Sequence, residues 1–142
     1  MERIVSDTVD LLLTQHYVMG TLHPYEVYYF DIFLHDKWER VGYIDLRVGR
    51  SKYLYYQGNI GYRIDEPYRG HHYALDAAKL VFPFAKEKGM DWLYITCNPD
   101  NIASRKTLDK LGGECLGDKK VPITCPLYFE GERFKRIYRF TT

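Results

Sequence analysis

Residues 59–89, NIGYRIDEPYRGHHYALDAAKLVFPFAKEKG, change their hydrophobic period partway along. The first seven, NIGYRID, have the β-branched and aromatic content of a strand. Further on, Ala74, Ala77, Ala78, Val81, Phe82 and Ala85 recur at helical spacing, and Gly89 is a natural stop. Pro83 falls inside that run and predicts a kink, because it removes one hydrogen bond and crowds the preceding turn. The next segment, DWLYITCN at 91–98, is apolar, β-branched and aromatic, a strand again. Strand, helix and strand in direct succession predict a right-handed parallel crossover.

The flanks extend this unit. Downstream, PDNIASRKTLDKLGG (99–113) offers Asp100 or Asn101 as an N-cap, places Ala103, Thr107, Leu108 and Leu111 on one face, and has Gly112 beyond its end. Upstream, VDLLLTQ and YEVYYFDIFL (25–34) read as strands, and WERVGYIDLRVG (38–49) alternates. Its Gly42, Ile44, Leu46 and Val48 share one face, with Val41, Tyr43, Asp45 and Arg47 on the other. His35-Asp36-Lys37 is short enough for a hairpin turn, and RSKYLYYQ (50–57) reads as a tyrosine-rich connection. Two more strands, near 114–121 and 133–140, flank a PLYFEGER loop. The expected fold is α/β: a mixed, mostly antiparallel central sheet with a parallel strand–helix–strand crossover and helices on its faces. No repeat or Pro/Ser linker divides residues 1–142, which read as a single domain.

Composition narrows the function. The 142 residues carry 46% apolar and 27% charged side chains, normal for a soluble globular protein. Net charge is +1, so no whole-molecule field favours nucleic acid or an anionic membrane. No apolar run approaches ~18 residues, and the N-terminus lacks the layout of a signal peptide, which predicts a cytoplasmic protein. Cys97, Cys115 and Cys125 are odd in number and lack metal spacing, consistent with a reducing compartment. Of the 23 aromatic residues 14 are tyrosines, which suits strand faces and a lined cleft.

The chemistry concentrates at Arg69-Gly70-His71-His72-Tyr73-Ala74. A strand ending at Asp65, a tight loop, and a helix starting near His72 form an anion site. The first N–H groups of that helix lack intrahelical partners, and its dipole adds partial positive charge. Gly70 permits close backbone approach and Arg69 adds a fixed charge. A ligand-free strand-to-helix turn fits the same residues equally well. Adjacent histidines are poor partners for one metal, and no other His/Cys/carboxylate spacing suggests a metal site.

GNIGYRIDEPYRGHHYALDAAKLV, followed by LYITCNPDNIASRKTLDKLGG, resembles the acetyl-CoA-binding core of the GCN5-related N-acetyltransferase (GNAT) superfamily. The family loop pattern is Arg/Gln-x-x-Gly-x-Gly/Ala. Residues Arg69 to Ala74 overlay it, with His72 in a slot usually held by glycine. The resemblance covers about residues 41–116 and implies an N-acetyltransferase that uses acetyl-CoA as donor. It implies that backbone N–H groups at His71, His72, Tyr73 and Ala74 hold the CoA pyrophosphate. Tyr62 and Ile64 would pair through their backbone with the pantetheine arm, one N–H facing the thioester oxygen. Asn101 and Ser104 would lie in the second CoA-contacting segment, and Asn98 would end the strand that splays to admit the cofactor. For Asn101 and Ser104 simple helix capping is the competing reading. A protonated His72 ring would add a charged contact to CoA, making affinity fall as pH rises through its pKa.

Three departures from the family pattern bear on mechanism. Leu108 stands where many members carry a tyrosine acid, and Thr96 where some carry a carboxylate base. Asp45 is the remaining carboxylate candidate for catalysis, against the plainer reading of a charge pair with Arg47 or Arg63. Only HYVMGTLHP (16–24) separates the first two long strands, too short for the two helices the family usually has there. The acceptor side is then more open, or completed by a second subunit as a homodimer, or by Tyr53, Tyr55 and Tyr56, which sheet-surface packing explains equally. The acceptor is a small-molecule or peptide amine, with no nucleic acid or membrane partner. A non-catalytic acyl-CoA sensor is the rival reading.

Overall fold

The computed structural model describes residues 2–142. A short strand β1 (Arg3–Ile4) leads into β2 (Val9–Met19), β3 (Tyr25–Leu34) and β4 (Arg40–Val48). A one-and-a-half-turn helix α1 (Lys52–Gln57) precedes β5 (Ile60–Ile64), a single 3-10 turn at Glu66–Tyr68, and α2 (Tyr73–Glu87). Strand β6 (Trp92–Cys97), α3 (Ile102–Leu111), β7 (Glu114–Lys120), α4 (Pro126–Phe129) and β8 (Phe134–Thr141) complete the chain.

The strands form two antiparallel sheets, ordered β1-β2-β3-β4-β5 and β6-β8-β7. The crossover β5–α2–β6 is present, but the two strands it joins share no ladder. They touch at one end through Asn59, whose N–H donates to the Tyr94 carbonyl at 2.7 Å, and part beyond it. Strands β2 and β3 form a direct hairpin from Val9↔Leu34 to Met19↔Tyr25, so no helix lies between them. His16–Met19, read from sequence as connection, belong to β2 because the β3 partners Tyr25–Tyr28 continue the ladder.

Helix α2 lies across the larger sheet. Its Ala77, Ala78, Val81 and Ala85 are fully or almost fully buried, in one core with Tyr28, Phe30, Ile44 and Leu46. The alanines let helix and sheet approach closely, and Phe84 fills the space left, edge-on to Tyr28 and Phe30 at 5.1 Å each. The helix runs through Pro83 without interruption, although Pro83 has no N–H to offer Lys79. Asn101 caps α3, its side chain accepting the Ser104 N–H at 3.2 Å, and Gly112 ends it with φ 87°.

Two helices fall in segments read as irregular. Ser51 caps α1 by accepting the Leu54 N–H at 3.1 Å, and Pro126 opens α4. Val121, Cys125 and Leu127 form a small second core packed by Tyr53, Tyr56 and Tyr128. Tyr55 meets Tyr56 and Tyr94 edge-on, each at 5.0 Å. Two of the three tyrosines at 53–56 therefore bind α1 to the β7–β8 connection.

Candidate active site

The parted strands leave a cleft. Register fixes which backbone groups enter it. Asn59 accepts from the Arg47 N–H, and the Asp65 N–H donates to Val41. By the alternation of an antiparallel pair, Gly61 and Arg63 also turn their polar groups toward β4. The N–H and C=O groups of Tyr62 and Ile64 then point away from β4, into the cleft. Arg69 Nε donates to the Ile64 carbonyl at 2.8 Å, which occupies one of these groups.

A cavity of about 510 Å³ opens here, lined by Tyr62, Arg63, Ile64, Tyr68, Arg69, Gly70, His72, Tyr73 and Ala74 on one side. Asn101, Ala103, Ser104, Lys106, Thr107 and Lys110 of the α3 segment line the other. Four of these residues are permanent cations, Arg63, Arg69, Lys106 and Lys110, and none is a carboxylate. The first backbone bond of α2 is Asp76 N–H to the His72 carbonyl, so the N–H groups of Tyr73, Ala74 and Leu75 lack intrahelical partners. Gly70 has φ 92° and open space where a side chain would project. A polyanion fits the charge and the free N–H groups.

His72 holds the N-cap of α2 in the left-handed region, φ 64°, a conformation that favours glycine. The glycine slot of the family pattern is thus a backbone requirement met here by a strained histidine. Lys110 Nζ lies 3.4 Å from its Nε2, so the ammonium and the imidazole share this corner of the cleft. His71 is exposed, stacks on Tyr73 at 5.3 Å, and does not line the cavity.

A second cavity of about 280 Å³ adjoins the first and shares Tyr62, Asn101 and Ser104 with it. Its other walls include Arg47, Gln57, Gly61, Thr96, Cys97, Asn98, Glu130, Glu132 and Lys135. Asn98, expected beside the cofactor, lies on this second side, where its Oδ1 accepts from Lys135 Nζ at 3.2 Å. The Thr96 hydroxyl donates to the Tyr56 carbonyl at 2.8 Å, and the Cys97 thiol is buried, which pushes its pKa up. Residues of α1 and α4 wall this cavity, although sequence reading gave neither segment a helix.

Asp45 sits behind that wall, 9% exposed. Its Oδ1 is 3.0 Å from Arg47 Nε, the partner the plainer reading named, but the pair is not aligned as a hydrogen bond and Oδ1 has no hydrogen-bond partner among the described residues. Burial pushes the Asp45 carboxyl up, and Arg47 opposes the shift. Asp45 does not itself line either cavity. Leu108, in the slot of the family tyrosine, is fully buried.

Sequence reading missed Asn59, which is 1% exposed and joins all three strands at the closed end of the cleft. Its Nδ2 donates to the Arg47 and Gly49 carbonyls at 3.0 and 3.2 Å, and its Oδ1 accepts the Tyr94 N–H at 2.9 Å. The side chain replaces the Asn59 N–H on β4 and frees that N–H for β6.

The acetyltransferase (GNAT) domain family matches residues 3–114. No curated protein matches the chain in sequence. Among solved structures, the ribosomal L7/L12 alpha-N-protein acetyltransferase RimL superposes with a TM-score of 0.68 at 14% identity, covering 99% of this chain and 98% of that one. The ribosomal-protein-S5-alanine acetyltransferase of Vibrio fischeri gives 0.60 at 18% identity, covering 81% of this chain and 61% of its own. The microcin C7 self-immunity acetyltransferase MccE, solved with acetyl-CoA and AMP, gives 0.59 at 15%, covering 82% and 61%. The class these comparisons define is an acetyltransferase. The chain belongs to the GNAT family, as its loop and α3 motifs imply.

Proposed function

We propose that the protein transfers the acetyl group of acetyl-CoA to a primary amine by direct attack. The carrying observation is a basic cleft beside the α2 N-terminus and, adjoining it, a smaller polar chamber that shares Tyr62, Asn101 and Ser104 with it as lining. In this reading the pyrophosphate sits on the N–H groups that begin α2, with Arg69 and Lys110 beside it. The pantetheine arm runs along the outward polar groups of Tyr62 and Ile64. The acyl end then reaches the junction, and the amine approaches through the chamber walled by α1 and α4.

Acetyl transfer needs a neutral amine, stabilisation of the oxyanion, and a proton for the leaving thiolate. A backbone N–H on the outward edge of β5 meets the second need. Asp45 is the candidate base only if a water carries the proton past Gly61, since its carboxylate is not on the chamber wall. The likeness to RimL, an alpha-N-protein acetyltransferase, and to the Vibrio fischeri ribosomal-protein-S5-alanine acetyltransferase makes a peptide α-amine the first acceptor to try.

The test is thiol release from acetyl-CoA with a panel of peptide N-termini, polyamines and amino sugars. Amine-dependent release supports the transferase. Tight CoA binding with no release on any amine supports the sensor reading instead.

A further inference from the structure

Leu108 leaves the reaction without a phenol on α3, but the cleft is not without one. We propose that the Tyr62 hydroxyl, held by Ser104, protonates the departing CoA thiolate. The inference rests on the transferase reading above and assigns a side-chain role to a residue whose backbone alone was expected to serve.

The geometry is direct. Tyr62 projects from β5 across the gap to α3, where its hydroxyl shares a 3.3 Å hydrogen bond with Ser104 Oγ. Asn101 caps α3 through the Ser104 N–H, not through the Ser104 hydroxyl, so that hydroxyl is free to serve Tyr62. Helical side chains lean toward the N-terminus and cover the turn before their own Cα. A tyrosine at 108 would therefore carry its hydroxyl back over the turn that holds Ser104. Tyr62 brings a phenol to that same turn from the opposite wall, and Leu108 can be apolar and fully buried.

The position suits the chemistry. Tyr62 and Ser104, with Asn101, line both cavities, so an acyl group held in one would meet an amine held in the other beside them. The amine nitrogen forms a bond to the thioester carbon, and the C–S bond breaks as the oxyanion collapses. The sulfur takes the Tyr62 proton. The proton lost from nitrogen returns to the phenolate through Ser104 or a water, so amine plus thioester gives amide plus thiol. Burial pushes the phenol upward, against the bond from Ser104, which keeps it protonated for this task. The same burial raises the basicity of a thiolate in the cleft, so donor and acceptor move together.

The test is Tyr62→Phe, which keeps the ring and removes only the hydroxyl, with Ser104→Ala as a second variant. Hydroxylamine, small enough to need no recognition site, serves as acceptor with the uncatalysed rate subtracted. The expected result is a kcat loss on the order of 100-fold in Tyr62→Phe, a smaller loss in Ser104→Ala, and an unchanged KM for acetyl-CoA. A readout free of turnover is thiolate absorbance of bound CoA against pH. The thiol should ionise at lower pH in the wild type than in Tyr62→Phe, because the hydroxyl donates to the thiolate. Wild-type kcat in Tyr62→Phe, or a rise in KM alone, overturns the assignment, as does an identical thiol titration. Wild-type protein that binds CoA yet gives no thiol release on any amine defeats the transferase reading itself, a different outcome.

Discussion

Replacing Asn59 with alanine removes three hydrogen bonds from a site 1% exposed to solvent. The Tyr94 N–H loses its acceptor outright, and an orphaned buried donor costs about 1–3 kcal/mol. The Arg47 and Gly49 carbonyls lose one donor each, and carbonyls with two lone pairs tolerate this better. The total comes to about 2–4 kcal/mol, or a fall in Tm of about 6–12 °C for a chain this size. A purely structural residue would stop there. Asn59 also holds the closed end of the cleft, so β5 and β6 should separate differently in the variant. The pantetheine arm would lie between those strands, whereas the adenosine and phosphates would lie outside, at the α2 terminus. Calorimetric titration of folded variant at low temperature should therefore show CoA binding weakened about tenfold, one 1.4 kcal/mol step, with binding of 3′,5′-ADP unchanged. Thermal unfolding by circular dichroism supplies the stability half. An unshifted Tm would refute the hydrogen-bond reasoning. Equal losses for CoA and for the fragment would refute the cleft reasoning.

Other perturbations follow from single contacts. In Gly61→Ala the new methyl would meet the Arg47 guanidinium, which pairs with Asp45 and donates to the Gln57 and Gly58 carbonyls. Displacing it should cost about 1–3 kcal/mol in chemical denaturation, and a neutral result would mean that Arg47 has another place to go. Lys110→Gln should weaken CoA binding and flatten its salt dependence, while His72→Gly should leave affinity near wild type and relieve the left-handed strain at φ 64°. The reverse order would put the His72 side chain, rather than Lys110, against the cofactor. The Asp10–His35 pair gives a pH signature. The hydrogen bond to Asp10 at 3.0 Å raises the His35 pKa against its desolvation. Burial alone would raise Asp10, but bonds from His35 and the Ser6 N–H outweigh it and hold the carboxyl low. A raised histidine stabilises fully below its unfolded value and loses that contribution as pH rises through the folded one. Stability should therefore decline as pH rises above the ordinary histidine value of about 6.5, and His35→Gln should remove that decline.

Much of this was legible in residues 59–113, because period and caps are local. The change from strand to helix spacing at Ala74, the Asn101 cap and the Gly112 stop all depend on neighbours within one turn. What escaped depends on reach across the fold. RSKYLYYQ looked irregular because its tyrosines favour strands, yet Ser51 caps a short helix there once Tyr53 and Tyr56 have a second core to pack on. Asn59 read as the start of a strand, since nothing local announces that its side chain will substitute for its own N–H. The face of Tyr62 was legible but the span of its side chain to Ser104, 42 residues away, was not. For Asn98 the motif gave the end of the strand beside the cleft but not the direction of its side chain, which follows from Lys135 on β8, a partner no motif contains.

A crystal structure with acetyl-CoA bound tests the central claim most directly. The expected result has the pyrophosphate on the N–H groups of Tyr73 and Ala74, the pantetheine amides on the outward groups of Tyr62 and Ile64, and the thioester carbon beside Tyr62 and Ser104 at the mouth of the smaller cavity. A cofactor bound elsewhere, or one whose thioester points away from that junction, would contradict it.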